Sequence, residues 1–334
     1  MTNHTSKSKI VNTFFVLAHK LSGGDILAIV QTDIPMTSDL CRRSMEALAG
    51  RYPAFRLETL TTTAFGRPLQ ALRIGRGDRR VLYSAAHHAN EWITAPVLLK
   101  FLEELAAADE AQGTLFGVPT KTILNAATIF AVPMVDPDGV DLVTGAIEPG
   151  TLEYEQAQSL ADNYPAIPFP DGWKANLLGV DLNLQYPAGW LKARDIKFSQ
   201  GYTRPGPRDF VGRAPLNQRE TIALAHYTQA VDPALVIALH TQGEAIYWQF
   251  EDYVVPGAQA LGEEFARLSG YALEDTPYNS SFAGYKDWFI QAWRRPGFTI
   301  ECGTGQNPLP LTQFDEIYRA VLGILVTGAT GLPG

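Results

Sequence analysis

Cysteine is nearly absent from this chain: Cys41 and Cys302 are the only two among 334 residues. Two thiols build neither a disulfide framework nor a thiolate metal cluster, and so low a count suits a reducing compartment. Basic excess is missing as well. With 27 Lys and Arg against 35 Asp and Glu, the net charge is −8, so no surplus is available to displace counterions from a nucleic-acid backbone. Nucleic acid is thereby excluded as a general partner. No apolar run reaches the ~18–20 residues that span a bilayer. The stretch IVNTFFVLA (10–18) follows Lys7 and Lys9, but it is short and broken by Asn12 and Thr13. It leads into His19-Lys20 where a small-residue cleavage site would be expected, so it does not read as an export signal. Internal repeats, charge blocks and Ser/Gly linkers are also lacking.

What is present is core-forming material. The chain is 46% hydrophobic and 19% charged, which excludes disorder and low-complexity character. Residues 1–36 read as an N-terminal appendage of uncertain structure, and 37–334 as one domain. A helix is predicted over 37–50, capped by Ser38 and closed by Gly50, with Cys41, Met45 and Leu48 on one face. Short strands are predicted at 55–61 and 69–74. Longer apolar strands follow at 80–86 (RVLYSAA), 128–135, 234–239 (ALVIAL) and 298–301 (FTIE). Between them lie helices after residue 91 and near 217–230, 256–268, 287–293 and 311–325, while Asp136-Pro137-Asp138-Gly139 reads as a turn. Unbroken apolar strands alternating with helices predict an α/β fold: a single α/β/α domain whose mixed, mostly parallel sheet is covered by helices on both faces.

In such sheets ligands gather beyond the carboxyl ends of the strands. His88, His240 and Glu301 all fall at predicted strand ends, and Glu91 lies three residues past His88. Two imidazoles and one carboxylate, His88, His240 and Glu91, form a zinc ligand set with a position left open for water, the pattern of a catalytic site. The alternative is that His88 satisfies backbone groups while Glu91 caps a helix. His87, its neighbour on an extended segment, should point the other way and serve the core.

Several ordered segments resemble the zinc carboxypeptidase family of metallopeptidases over roughly 37–325. HHANEW (87–92) is similar to its first zinc motif, LHTQG (239–243) to its second, DPDG (136–139) to its N-P-D-G turn and GVDLN (179–183) to its G-V-D-x-N segment. DWFIQAWRRPGFTIECG (287–303) is similar to the tail carrying its catalytic glutamate. The resemblance implies one zinc per chain, bound by His88, Glu91 and His240. It implies that Asp181 accepts a hydrogen bond from the His88 ring. Glu301 would be the general base, taking a proton from the attacking water and delivering it to the leaving nitrogen.

Where the family has an oxyanion arginine, this chain has Lys174 in Trp173-Lys174-Ala175-Asn176; Arg204 or Arg208 is the alternative, and an ordinary solvated lysine another. After Asn183, where ordinary carboxypeptidases carry an arginine for the terminal carboxylate, stands Leu184, and Asn90 replaces an arginine often found within the first motif. Leucine cannot pair with a carboxylate. The segment NLQYPAGW (183–190) with GYKDWF (284–289) resembles the branch that cleaves γ-D-glutamyl–meso-diaminopimelate bonds in cell-wall peptides. Substrate-binding residues are then Asn183, Leu184, Tyr278 (at the place of the mobile loop tyrosine) and Lys286, whose cation suits a carboxylate of diaminopimelate unless it faces solvent. LSGGDILAI (21–29) resembles a fragment of the glycan-binding repeats that often precede this branch. The expectation is a cytoplasmic enzyme acting on soluble wall peptides, an envelope or exported enzyme being the alternative. A carboxypeptidase of ordinary C-terminal residues and a catalytically silent peptide-binding module on the same fold are the competing functions.

Overall fold

The computed structural model describes residues 28–332; the stretch 10–18 and most of 21–29 lie outside them. Eight strands make the main sheet: β1 (Arg56–Thr62), β2 (Pro68–Gly75), β3 (Arg79–Ala85), β6 (Ala127–Val132), β7 (Leu235–His240), β8 (Ala245–Tyr247), β9 (Ala272–Glu274) and β10 (Gly297–Glu301). A separate two-residue ribbon, β4 (Thr114–Leu115) with β5 (Val118–Pro119), lies apart from it. The order across the sheet is β1-β2-β6-β3-β7-β10-β8-β9. The central four, β6, β3, β7 and β10, are mutually parallel, while β1, β2 and β8 join antiparallel. The sheet is thus mixed with a parallel centre, as the unbroken apolar runs required.

Among the described residues ten α-helices surround it: α1 (Ser38–Arg51), α2 (Thr94–Glu110), α3 (Thr120–Ala126), α4 (Pro137–Val143), α5 (Leu152–Ala161), α6 (Trp190–Ser199), α7 (Arg219–Val231), α8 (Ala258–Ser269), α9 (Tyr285–Trp293) and α10 (Phe314–Thr330). Side chains alternate along each central strand and so feed two cores. Val81 and Tyr83 of β3 with Leu235, Ile237 and Leu239 of β7 pack under α1, α2, α8 and α10. Leu82, Val236 and Ala238 face the opposite way, under α6, α7 and α9. A third, smaller cluster of Leu142, Ala157, Trp173 and Leu177 supports the loop that carries Lys174. Val30 and Met36, ahead of α1, are buried in the first core. Among the described residues no helix is long and apolar enough to cross a membrane.

Local departures have local causes. α1 is capped by Thr37, whose hydroxyl accepts from Leu40 N at 3.2 Å, because Ser38 Oγ is engaged by Asp141 Oδ2 at 2.6 Å. Gly50 does not close that helix, which runs on to Arg51. DPDG is the start of α4 and not a free turn: Asp136 caps it by accepting from Gly139 N at 3.0 Å. The helices α3, α5 and α6 were not legible, and α6 shows why: Leu191 and Phe198 are exposed on it, which blurs the apolar face that marks a helix in sequence.

Candidate active site

Three adjacent central strands deliver the chemistry. His240 ends β7 and Glu301 ends β10, and the two residues are partners in the strand register. His88 follows the end of β3, beside β7, with Ala85 paired to Leu239. Glu91 closes the short 3-10 turn Ala89–Glu91. One donor atom each from His88, Glu91 and His240 lies within 4.8 Å of the others, and all three residues are buried.

The donor set fits a divalent cation. His88 Nε2 faces Asp181 Oδ1 at 3.2 Å, so in the neutral ring the proton belongs there and Nδ1 is left as a bare lone pair. That lone pair meets Glu91 Oε1 at 2.8 Å and His240 Nδ1 at 3.2 Å, while His240 Nδ1 meets Glu91 Oε2 at 2.8 Å. Lewis bases turned on one point repel unless protons or a metal ion sit between them. Thr241 N steadies Glu91 Oε2 at 3.2 Å. Burial opposes charge on Glu91, yet the two imidazoles hold its carboxyl well below its ordinary range. Likewise the Glu91 and Asp181 carboxylates raise the His88 pKa against the effect of burial.

Around this cluster opens a cavity of about 930 Å³. Glu301 lines it, and burial raises its carboxyl to about 7, with His240 and Lys174 opposing and Glu91 reinforcing the shift. A carboxyl titrating near neutrality can both accept and return a proton. Lys174 also lines the cavity, with Nζ 3.9 Å from Asp181 Oδ2. Burial works against its charge, but Asp181, Glu91 and Asp209 raise its pKa and keep it protonated. Of the alternative arginines, Arg208 lines the cavity and Arg204 is not among its walls.

Leu184 is 7% exposed and reaches the cavity wall from the second core. Asn183 reaches the same wall while its Oδ1 accepts from Tyr285 N at 2.9 Å. Lys286 lines the cavity but is not a free cation: its Nζ donates to Asp287 Oδ1 at 2.6 Å and to Gln249 O at 2.5 Å. Tyr278 is 69% exposed, its ring edge-on to Phe282 and outside the cavity lining. His87 is fully buried and stacked against the His240 ring, 5.4 Å between centroids. The sequence reading missed Asp287, although it lies within the motif quoted for the tail. It also missed Asp209 and Lys197, which bond each other at 2.6 Å beside Asp181 and sit in segments without periodic pattern.

The loops bearing Lys174, Asp181 and Arg208 are held by their backbones. Lys174 N and Ala175 N both donate to Pro207 O, at 2.7 and 2.9 Å, and Asp181 N donates to Phe210 O at 2.9 Å. Gly206 N donates to Gly179 O at 3.1 Å. Gly179 has φ +72°, and a Cβ there would lie 2.6 Å from Gly206 N, so this approach requires glycine. Ala89 N in turn donates to Lys174 O at 3.2 Å, tying the loops to the first motif.

An open His-Glu-His group at the carboxyl edge of the parallel centre of a helix-covered sheet, with the Glu301 carboxylate and a cation beside it, defines a zinc-dependent peptide hydrolase. The chain belongs to the zinc carboxypeptidase family, whose model matches residues 41–322. It is a metallopeptidase with zinc as its cofactor. Over 284 residues it is 44% identical to gamma-D-glutamyl-L-diamino acid endopeptidase 1 of Lysinibacillus sphaericus, covering 85% of this chain and 69% of that protein. Bovine thrombin-activatable fibrinolysis inhibitor, solved with tick carboxypeptidase inhibitor, shares the fold with a TM-score of 0.69 at 15% identity, over 90% of this chain and 97% of that one. Murein-tripeptide amidase MpaA from Escherichia coli O157 gives 0.51 at 18% identity, over 83% and 92%.

Proposed function

We propose that this protein hydrolyses the amide bond between γ-D-glutamate and meso-diaminopimelate in bacterial cell-wall peptides. The observation that carries this reading is Leu184, an apolar side chain on the cavity wall at the position where the family resemblance puts the arginine that grips a terminal carboxylate. The 44% identity to a γ-D-glutamyl-diamino acid endopeptidase supports the same conclusion. Lys286 and Asp287 pair with each other on the cavity wall. The ammonium and carboxylate that end the diaminopimelate side chain are able to exchange into that pair, the carboxylate to Lys286 and the ammonium to Asp287.

Each residue has a defined part. Zinc held by His88, Glu91 and His240 would supply a Lewis acid that polarises the scissile carbonyl and acidifies water. Asp181 keeps the His88 proton on Nε2, so that Nδ1 faces the site. Glu301 takes the proton of the attacking water on its carboxylate and hands it to the leaving nitrogen of diaminopimelate. Lys174 donates from Nζ to the oxyanion developing on the former carbonyl. The catalytic domain is residues 37–334, joined in its first core by Val30 and Met36 of the preceding segment. We propose the cytoplasm as its place of action, with which two unpaired thiols are compatible.

The test is product analysis by mass after incubating zinc-loaded protein with a γ-D-glutamyl–diaminopimelate peptide and with a blocked ordinary dipeptide. Cleavage of the first at the γ-glutamyl bond is expected, including when the diaminopimelate α-carboxyl is extended by a further residue. Replacing diaminopimelate by lysine, which deletes the distal carboxylate, should lower kcat/KM. Turnover of the ordinary dipeptide alone would overturn the reading.

A further inference from the structure

The two sides of the cavity carry different chemistry. Glu301 must reach the leaving nitrogen, so the amine half of the substrate lies on its side, toward Lys286 and Asp287 of α9, the helix that leads into β10. The acyl half then extends toward Lys174 and Arg208, which line the same cavity. A γ-linked D-glutamyl group differs from any ordinary acyl donor in one respect: its α-carboxylate is free and sits at the far end of its side chain from the scissile carbonyl. A site for it needs an unengaged cation on the acyl side.

Three cations stand there: one is held by a carboxylate, one is assigned above to the oxyanion, and the third is anchored through a single nitrogen. Lys197 Nζ is held by Asp209 Oδ1 at 2.6 Å and is 10% exposed. Lys174 leans on Asp181 beside the reacting carbonyl. Arg208 differs from both. Its Nε donates to Asp209 Oδ2 at 2.7 Å, and its side chain, 41% exposed, borders the cavity. Among the described residues its two Nη groups make no hydrogen bond, Nε being the sole atom of Arg208 that does. With Nε anchored, the Nη1–Nη2 edge remains as a pair of parallel N–H donors, the geometry that takes a carboxylate in two hydrogen bonds.

The anchor is itself built. Asp209 has φ +64°, a left-handed conformation that aspartate tolerates better than most residues. In that conformation its carboxylate is shared between Lys197 and Arg208, while its backbone N–H points to Asp181 Oδ2 at 3.4 Å. Arg208 is therefore referenced, through Asp209 and Asp181, to the His88 ring. We infer that Arg208 is a specificity-determining residue that reads the free α-carboxylate of the γ-D-glutamyl group. This inference rests on the γ-D-glutamyl reading above.

Two substrates decide it: L-alanyl-γ-D-glutamyl-diaminopimelate and the same peptide with the D-glutamate α-carboxylate converted to an amide. The zinc-loaded full chain should prefer the carboxylate form by about tenfold or more in kcat/KM, the usual scale for a charge-assisted pair against a neutral one. In Arg208→Leu that preference should collapse toward unity, through a rise in KM for the carboxylate form larger than any change in kcat. Arg208→Gln, which keeps length and polarity, should give the same collapse and serves if the leucine variant melts lower than the parent protein. Equal loss on both substrates, or a parent enzyme indifferent to the amide, overturns the role of Arg208 while leaving the γ-D-glutamyl reading intact. Cleavage of neither peptide, with turnover of an ordinary dipeptide, overturns both.

Discussion

The two halves of this cavity are built by different means. His240 and Glu301 sit at the ends of hydrogen-bonded parallel strands, with His88 just past the end of the strand beside them, and sheet register fixes their spacing. Lys174, Asp181, Arg208 and Asp209 come from irregular chain, and their positions depend on a few backbone hydrogen bonds, one glycine and a set of buried charges. A strand-end residue should therefore fail chemically when mutated, with the fold intact. A loop residue can fail through chemistry or through the loss of its support.

The comparison is sharpest for the base. Glu301→Gln should lower kcat by at least about 10²–10⁴-fold, the range of general acid–base catalysis, with zinc content and melting temperature unchanged by metal analysis and calorimetry. His240→Ala, from the neighbouring strand, should lose most of its zinc. Full zinc in that variant would mean that the strand ends do not form the metal site. In the loop half, Lys174→Met should reduce kcat by roughly 10²-fold, the scale of removing one oxyanion donor, with little effect on KM in steady-state assays. A change confined to KM would make Lys174 a binding group.

Smaller effects probe the scaffold. Gly179→Ala forces a Cβ toward Gly206 N in a left-handed conformation, and should cost on the order of 2 kcal/mol in denaturant unfolding. Activity should fall with it, since Lys174 and Asp181 flank the contact. An alanine variant as stable and active as the parent would show that the loops tolerate separation.

Glu220, at the start of α7, accepts from Asn176 Nδ2 of the Lys174 loop at 3.5 Å, and burial raises its carboxyl to about 7. Because the folded value lies above the unfolded one, near 4.3, its contribution to stability is complete below that unfolded value and is lost as pH rises through about 7. Glu220→Gln does not titrate, so its advantage over the parent should be slight at pH 4, grow to on the order of 3–4 kcal/mol, and level off above pH 7. A constant difference across that range would place Glu220 in a solvated setting.

The same division governs what could be read from the sequence. The core strands are apolar runs, and His240 and Glu301 could be placed because a polar residue closing such a run marks a sheet edge. His88 and Glu91 followed from their spacing. Asp181 and Lys174 were found through resemblance to a family, since nothing in their local pattern distinguishes them. Asp209 and Lys197 gave no signal, because the ion pair that matters joins α6 to a loop, a relation that no local periodicity encodes. Lys286 was placed on the cavity, but its partner Asp287 is its immediate neighbour, and sequence adjacency does not reveal that the two side chains turn toward each other. DPDG misled for a related reason: turn composition and helix-cap composition are nearly the same.

The close contact of Gly179 with Gly206 has a consequence for how such an enzyme can diversify. One loop carries Lys174 and the other carries Arg208, and they share a backbone seam that admits no side chain. Neither can be lengthened or exchanged alone without parting the seam. Substitutions at single side chains such as 208 can retune substrate preference freely, whereas insertions must arise in both segments together. Inheritance of the two loops as one unit is the expected pattern, and chimaeras that swap residues 200–218 without 172–183 should not fold their active site.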